Sequence, residues 1–113
     1  MALPGKKRLT ITKDLMRSFR KGGRRITTVF LGAFYRKTEE ALRCGIVVGA
    51  KVSKKATARN RLRRRVQQAI SDSANSLTGE LIIYPKREML ELDTKRIQEE
   101  VVSLFKNIRE MTD

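Results

Sequence analysis

The chain has 113 residues, 26 Lys and Arg against 12 Asp and Glu, no His, no Trp and one Cys, for a formal charge of +14. That length supports one domain with one modest core and excludes two. The lone Cys44 excludes an internal disulfide or a Cys-based metal cluster, and the lack of His removes the usual general base and the commonest metal ligand.

The charge is uneven. Residues 1–65 carry 20 basic and 3 acidic side chains, whereas residues 66–113 carry 6 and 9. A basic surface is thus concentrated in the first part, the footprint of a polyanionic partner. No apolar run approaches the roughly 18 residues that span a bilayer, and the start of the chain has charge but no apolar core of a signal peptide. A soluble protein of the reducing cytoplasm is expected, with no membrane partner.

In chain order, residues 1–10 read as a flexible basic arm, with Lys6, Lys7 and Arg8 awaiting a partner. Thr12 is placed to cap a short helix in which Leu15, Met16 and Phe19 fall at helical spacing, ended by Gly22-Gly23. Ile26 to Tyr35 is β-branched and aromatic and predicts one strand, with Gly32 as a bulge or close-approach point. The pattern leaves open which of Phe30, Phe34 and Tyr35 faces which side. Arg36 to Arg43 reads as a polar connection with a solvated turn at Glu39-Glu40. Cys44 to Ala50 is continuously apolar and predicts a central strand buried on both faces, Cys44 acting as a small buried residue.

The stretch from Lys51 to Ile70 dominates the chain. Eight of the fifteen residues from Lys51 to Arg65 are Lys or Arg and none is acidic. From Ala58 onward Leu62, Val66, Ala69, Ile70 and Leu77 recur at steps of three and four, so the block forms a helix with an apolar stripe, capped by Thr57. Arg61, Arg64, Arg65 and Gln68 fall opposite the stripe, and Asn60, Arg63 and Gln67 on its flank. A solvated charged helix face usually mixes both signs; this one does not. Arginine also suits bidentate phosphate contact and stacking on bases.

Arg59-Asn60-Arg61-Leu62-Arg63-Arg64, preceded by Lys51 and Lys55-Ala56 and leading into a helix, resembles the signature of the bacterial ribonuclease P protein family. Lys51, Lys55, Ala56, Arg59, Asn60, Arg61 and Arg64 match its motif, and Arg63 replaces a Lys. Val52 stands where a second Lys is usual and Lys54 where a Gly is usual. Lys takes positive φ less cheaply than Gly, so the departures bear on the loop before the helix and leave the Arg-Asn-Arg core intact. The order and length of the elements extend the resemblance, more weakly, from Lys6 to Ile108.

Beyond the basic helix, Ser71 to Thr78 breaks the pattern and Gly79 marks a turn. Leu81 to Tyr84, closed by Pro85, predicts a buried strand parallel to the one before the helix. Asp93 or Thr94 is placed to cap a last helix with the stripe Ile97, Val101, Leu104, Phe105 and Ile108. Its outer face, with Glu99, Glu100 and Glu110, has the mixed charge of ordinary solvated helix.

The resemblance implies an α+β two-layer sandwich ordered α-β-β-β-α-β-α, with a mixed four-stranded sheet, as in a domain of a small-subunit ribosomal protein. Its βαβ crossover would be left-handed, against the physical preference. It implies the protein subunit of ribonuclease P, which removes the 5′ leader of precursor tRNA while a separate RNA, with Mg²⁺, is the catalyst. No catalytic residue is assigned to the protein. Lys51, Lys54, Lys55, Arg59, Asn60, Arg61, Arg63, Arg64 and Arg65 would bind the RNA subunit. Leu15, Phe19, Phe30 and Phe34 would line the leader's cleft, Leu15 standing where an aromatic is usual; for Phe19 a core role is equally open. Asn60, through its amide oxygen, is the one candidate metal ligand. A monomer within the ribonucleoprotein is expected. Two other readings share the charge: a ribosomal or other structural RNA-binding protein, and a DNA-binding protein, which would lack a helix-turn-helix pattern here.

Overall fold

The structure, a computed structural model, describes residues 12–73 and 77–112, and among them the side chains of all but 18–21 and 112. The basic arm and the Phe19 side chain lie outside it. The elements run α1 (Lys13–Gly22), β1 (Arg24–Thr27), β2 (Leu31–Ala41), β3 (Arg43–Ile46), α2 (Ala56–Ser73), β4 (Thr78–Pro85), a short 3-10 helix (Arg87–Glu91) and α3 (Thr94–Thr112). The four strands form one mixed sheet in the order β1-β2-β4-β3; only β3 and β4 are parallel.

Two of the three helix starts follow their capping signals. Thr12 Oγ1 accepts from the Leu15 N–H at 3.1 Å, and Asp93 Oδ1 from the Arg96 N–H at 2.8 Å. At α2 the expectation fails. The helix begins at Ala56, so Thr57 lies inside its first turn. The α2 helix ends at Ser73, and Leu77 is buried beyond it rather than continuing its stripe.

The single strand expected over Ile26–Tyr35 is instead a hairpin. Thr28 Oγ1 accepts from the N–H groups of Phe30 and Leu31 at 3.2 and 3.1 Å, and the Thr28 N–H donates to the Leu31 carbonyl at 2.8 Å. A threonine hydroxyl that bonds the backbone ahead of it offers an alternative to the ladder, so the chain turns inside a run of strand-forming residues. Gly32 is in register with both neighbours, and the sheet's irregularity falls between Arg36 and Ala41. The expected polar connection is mostly β2, whose far end outruns the layers that cover it and is exposed. There Gly79 has φ +115°, and a Cβ would meet the Arg36 carbonyl oxygen at 2.4 Å. Gly79 thus lets β4 begin close against β2 rather than marking a free turn.

The apolar run from Cys44 does not form a central strand. β3 is an edge strand ending at Ile46, and β4 is the central one. Apolarity reports the covering of a strand's faces, and β3 has both faces partly covered even though one edge is open.

The sheet's two faces alternate along β4. Leu81 and Ile83, with Leu31, Ala33 and Tyr35 of β2, face the main core, where they meet Leu62, Val66, Ala69 and Ile70 of α2 and Ile97, Val101, Leu104, Phe105 and Ile108 of α3. Ile82 points the other way and is packed by Leu15, Met16, Phe34, Val47 and Tyr84. At the end of this second face Glu80, only 5% exposed, is clamped between Arg36 and Arg43 of the flanking strands; Arg43 Nη2 lies 2.9 Å from its Oε2.

Candidate nucleic-acid interface

Burial of the α2 stripe turns the arginines outward. Asn60, Arg61 and Arg64 are exposed, as are Lys51, Lys54 and Lys55 in the preceding loop, whereas Arg59, Arg63 and Arg65 are half-buried. Arg59 is turned back toward the loop: its Nη1 donates to the carbonyls of Ser53 at 2.9 Å and Lys54 at 3.1 Å. Its guanidinium therefore fastens the loop to the helix. Lys54 needs no left-handed backbone, because no non-glycine described residue has positive φ. The loop replaces the usual Gly with a path that ordinary residues adopt, held by Arg59.

Arg65 was expected opposite the stripe, yet it is half-buried. The 3-10 helix, which the sequence did not reveal, packs beside α2 and sets Leu90 against Arg61 and Arg65.

On the second face of the sheet lies a cleft of about 640 Å³, lined by residues that include Met16, Arg25, Gly32, Phe34, Lys51, Tyr84, Lys86 and Arg87. Phe34 and Tyr84 meet edge-to-face with ring centroids 6.0 Å apart, and the Arg25 guanidinium sits 5.8 Å from the Phe34 centroid. The Tyr84 hydroxyl donates to Met16 Sδ at 3.2 Å. A Cβ at Gly32 would approach only the Ile26 carbonyl, at 4.0 Å, so the missing side chain leaves the cleft floor open. The aromatic rings of Phe34 and Tyr84 stand beside the cations Arg25, Lys51, Lys86 and Arg87, and among the described residues Glu88 is the one acid in the lining. Lys86 Nζ donates to the Thr28 carbonyl at 2.7 Å. Lys51 belongs both to this cleft and to the basic loop, so the two cationic surfaces are continuous.

Of the four residues expected to line a cleft, Phe34 does so, and the Phe19 side chain lies outside the described residues. Leu15 packs beneath, in the Ile82 cluster, and among the described side chains of α1 Met16 reaches the cleft. Phe30 is apart: it packs against the main core with Arg96 stacked 5.6 Å from its centroid. The turn at Thr28 breaks the two-residue alternation, so Phe30 and Phe34 fall on opposite faces despite their even spacing. Tyr35 faces the core, its hydroxyl donates to the Thr78 carbonyl, and burial pushes its phenol above the usual range. Arg25, Tyr84, Lys86 and Arg87 were missed. The period-two pairing of Ile82 with Tyr84, followed by Lys86-Arg87, was the signal available for three of them.

Asn60 does not present a metal ligand. Its Oδ1 accepts from Arg63 Nη1 at 2.8 Å amid guanidinium groups, a setting that repels a cation. Among the described residues no three His, Cys, Asp or Glu side chains gather as a metal site, and no helix is long and apolar enough to cross a membrane.

The fold and these surfaces define a small α+β protein with a cationic helix beside a basic, aromatic cleft. A sequence model described as Ribonuclease P matches residues 3–109, and the chain belongs to that family. No curated protein matches it. Among solved structures it is similar to a Staphylococcus aureus RNase P protein mutant with defective mRNA degradation activity, at TM-score 0.81 and 19% identity over 92% of this chain and 89% of that one. It is likewise similar to the RNase P protein from Thermotoga maritima, at TM-score 0.76 and 24% identity over 88% of this chain and 96% of that one. The α+β fold with its mixed four-stranded sheet is that of these proteins.

Proposed function

We propose that this chain is the protein subunit of ribonuclease P and assists a catalytic RNA in endonucleolytic removal of the 5′ leader from precursor tRNA. The observation that carries this reading is the meeting, at Lys51, of two different surfaces. The α2 helix with its loop offers guanidinium and ammonium groups suited to a structured RNA backbone. The cleft offers Phe34 and Tyr84 with Arg25, Lys86 and Arg87 around them, suited to unstacked bases and the phosphates that join them. A protein that only bound folded RNA would need the first surface and not the second.

In this reading the protein's residues bind and orient. The α2 arginines neutralise phosphates of the RNA subunit, Arg59 holds the loop, and the cleft draws the leader away from the cleavage point. Mg²⁺ supplies charge stabilisation at the scissile phosphate and is held with the RNA, since the Asn60 environment does not fit it. The protein acts as a monomer within a cytoplasmic ribonucleoprotein.

The test is a Mg²⁺ titration of precursor-tRNA cleavage by a bacterial ribonuclease P RNA, with and without the protein. The protein should lower the Mg²⁺ concentration for half-maximal cleavage. Binding of the RNA without any such shift would make this a structural RNA-binding protein.

A further inference from the structure

A second hollow lies on α2, and among the described residues it shares no lining residue with the cleft. Ala58, Arg61, Leu62 and Arg65 occupy positions i, i+3, i+4 and i+7, one continuous strip of the helix. Leu90 of the 3-10 helix stands beside that strip, and the five residues enclose about 250 Å³. Leu62 is buried, Ala58 and Leu90 are half-buried, and the small side chain of Ala58 keeps one end open. Arg61 and Arg65, four residues apart, rise on the same side, and among the described residues no acid lines the space.

The lining is unusual for a phosphate contact. Arg61 and Arg65 can each reach a phosphate from the rim, but the other three of the five described lining side chains offer only carbon. A floor of aliphatic carbon flanked by guanidinium groups instead suits a ligand with an apolar face and an anionic attachment. An unstacked nucleobase has both, because its ring packs on aliphatic carbon and under guanidinium planes while its own phosphate lies toward the surrounding arginines. A paired base in a duplex exposes no ring face. We infer that this notch is a nucleobase pocket, which receives one unpaired, extruded base of the RNA held by α2. The inference rests on the RNA-binding reading of α2 and adds to it a contact that recognises RNA shape, where phosphate contacts alone would not.

Ala58→Leu and Ala58→Gln fill the notch without changing charge and keep good helix formers on α2; Ala58→Ser leaves it open. Binding of each full-length variant to a bacterial ribonuclease P RNA would be measured across salt, with thermal unfolding and base-specific methylation of unpaired adenines and cytosines alongside. Failure of the parent to bind the RNA would remove the RNA-binding reading itself. If the parent binds, both filled variants should bind about five- to a hundredfold more weakly, the weight of one stacked base, with the salt slope and unfolding midpoint unchanged. One base that the parent protects should become reactive, and Ala58→Ser should behave as the parent. Parental affinity and protections in both filled variants would overturn the pocket and leave the notch to an apolar group of a protein partner. A shallower salt slope would overturn it too, because displaced phosphates would then explain the loss.

Discussion

Helices α2 and α3 pack side by side against the same face of the sheet and bury similar apolar stripes, yet their outer surfaces differ in kind. The α3 helix carries four basic and three acidic residues, and Arg96 reaches Glu99 at 3.3 Å and Glu100 at 3.6 Å. The α2 helix carries five arginines and one acid, Asp72, whose carboxylate accepts from the Gln68 amide. Like charges at i and i+4, as in Arg59 with Arg63 and Arg61 with Arg65, destabilise an isolated helix by a few tenths of a kcal/mol per pair. The α2 surface therefore works against its own helix and relies on the stripe beneath. Such a conflict between local preference and fold is where a functional surface is expected.

The largest effect that sharpens this contrast lies on α3. Phe105 is 1% exposed in the centre of the core, and Phe105→Ala should cost about 3–5 kcal/mol in urea unfolding. The fraction that remains folded should bind RNA with parental affinity. A loss of affinity per folded molecule would give α3 a direct role and break the division between the helices.

On α2 the balance should reverse. Arg61 and Arg64 are exposed and make no ion pair among the described residues, so the double change to Ala should leave the thermal midpoint unchanged or slightly raised. With five to eight phosphate contacts the parent's slope of log affinity against log salt should be roughly −4 to −7, and the double variant should be shallower by about 1.4–1.8. Removing Lys95 and Lys106 from α3 is the matched control and should change neither. Equal losses from both pairs would mean that net charge, not the α2 surface, drives binding.

A smaller effect tests how the loop is held. Arg59→Lys keeps the charge but loses Nη1, the one nitrogen that donates to the carbonyls of both Ser53 and Lys54, and a shorter chain ending in a freely rotating ammonium replaces the planar guanidinium that carries it. Faster amide exchange over residues 51–55 and a several-fold loss of RNA affinity are expected, with only a small change in midpoint. If Arg59→Lys matches the parent in both, Arg59 acts through charge alone.

The periodic elements were legible because burial imposes a pattern: the α2 and α3 stripes, the Thr12 and Asp93 caps and the buried strand β4 all follow from residue type and spacing. What failed to read depended on contacts distant in sequence or on hydroxyl geometry. The hairpin turns on Thr28, one hydroxyl inside a strand-like run. The edge position of β3 depends on β4 entering between it and β2. The candidate site was half legible for the same reason. The α2 block announces itself by composition, whereas the cleft gathers Met16, Arg25, Phe34, Lys51 and Tyr84 from five separate segments.

The smallest predicted effect asks whether the cleft is a binding surface in its own right or only the underside of the fold. Phe34 is half-buried, packed with Ile82, and presents its ring to Tyr84 and to the Arg25 guanidinium. Phe34→Leu keeps most of the apolar volume but removes the ring face, so folding should lose less than about 1.5 kcal/mol. In the holoenzyme, a base stacked in the cleft is worth about 1–3 kcal/mol, and the low end applies because Tyr84 remains. Precursor tRNA with a leader of several nucleotides should therefore bind about five- to tenfold more weakly. Mature tRNA, which has nothing to place in the cleft, should bind as before, and assembly with the RNA subunit through α2 should be unchanged. Equal losses for precursor and mature tRNA would show that Phe34 supports the fold beneath α1 and that the contrast between helix and cleft is one of packing alone.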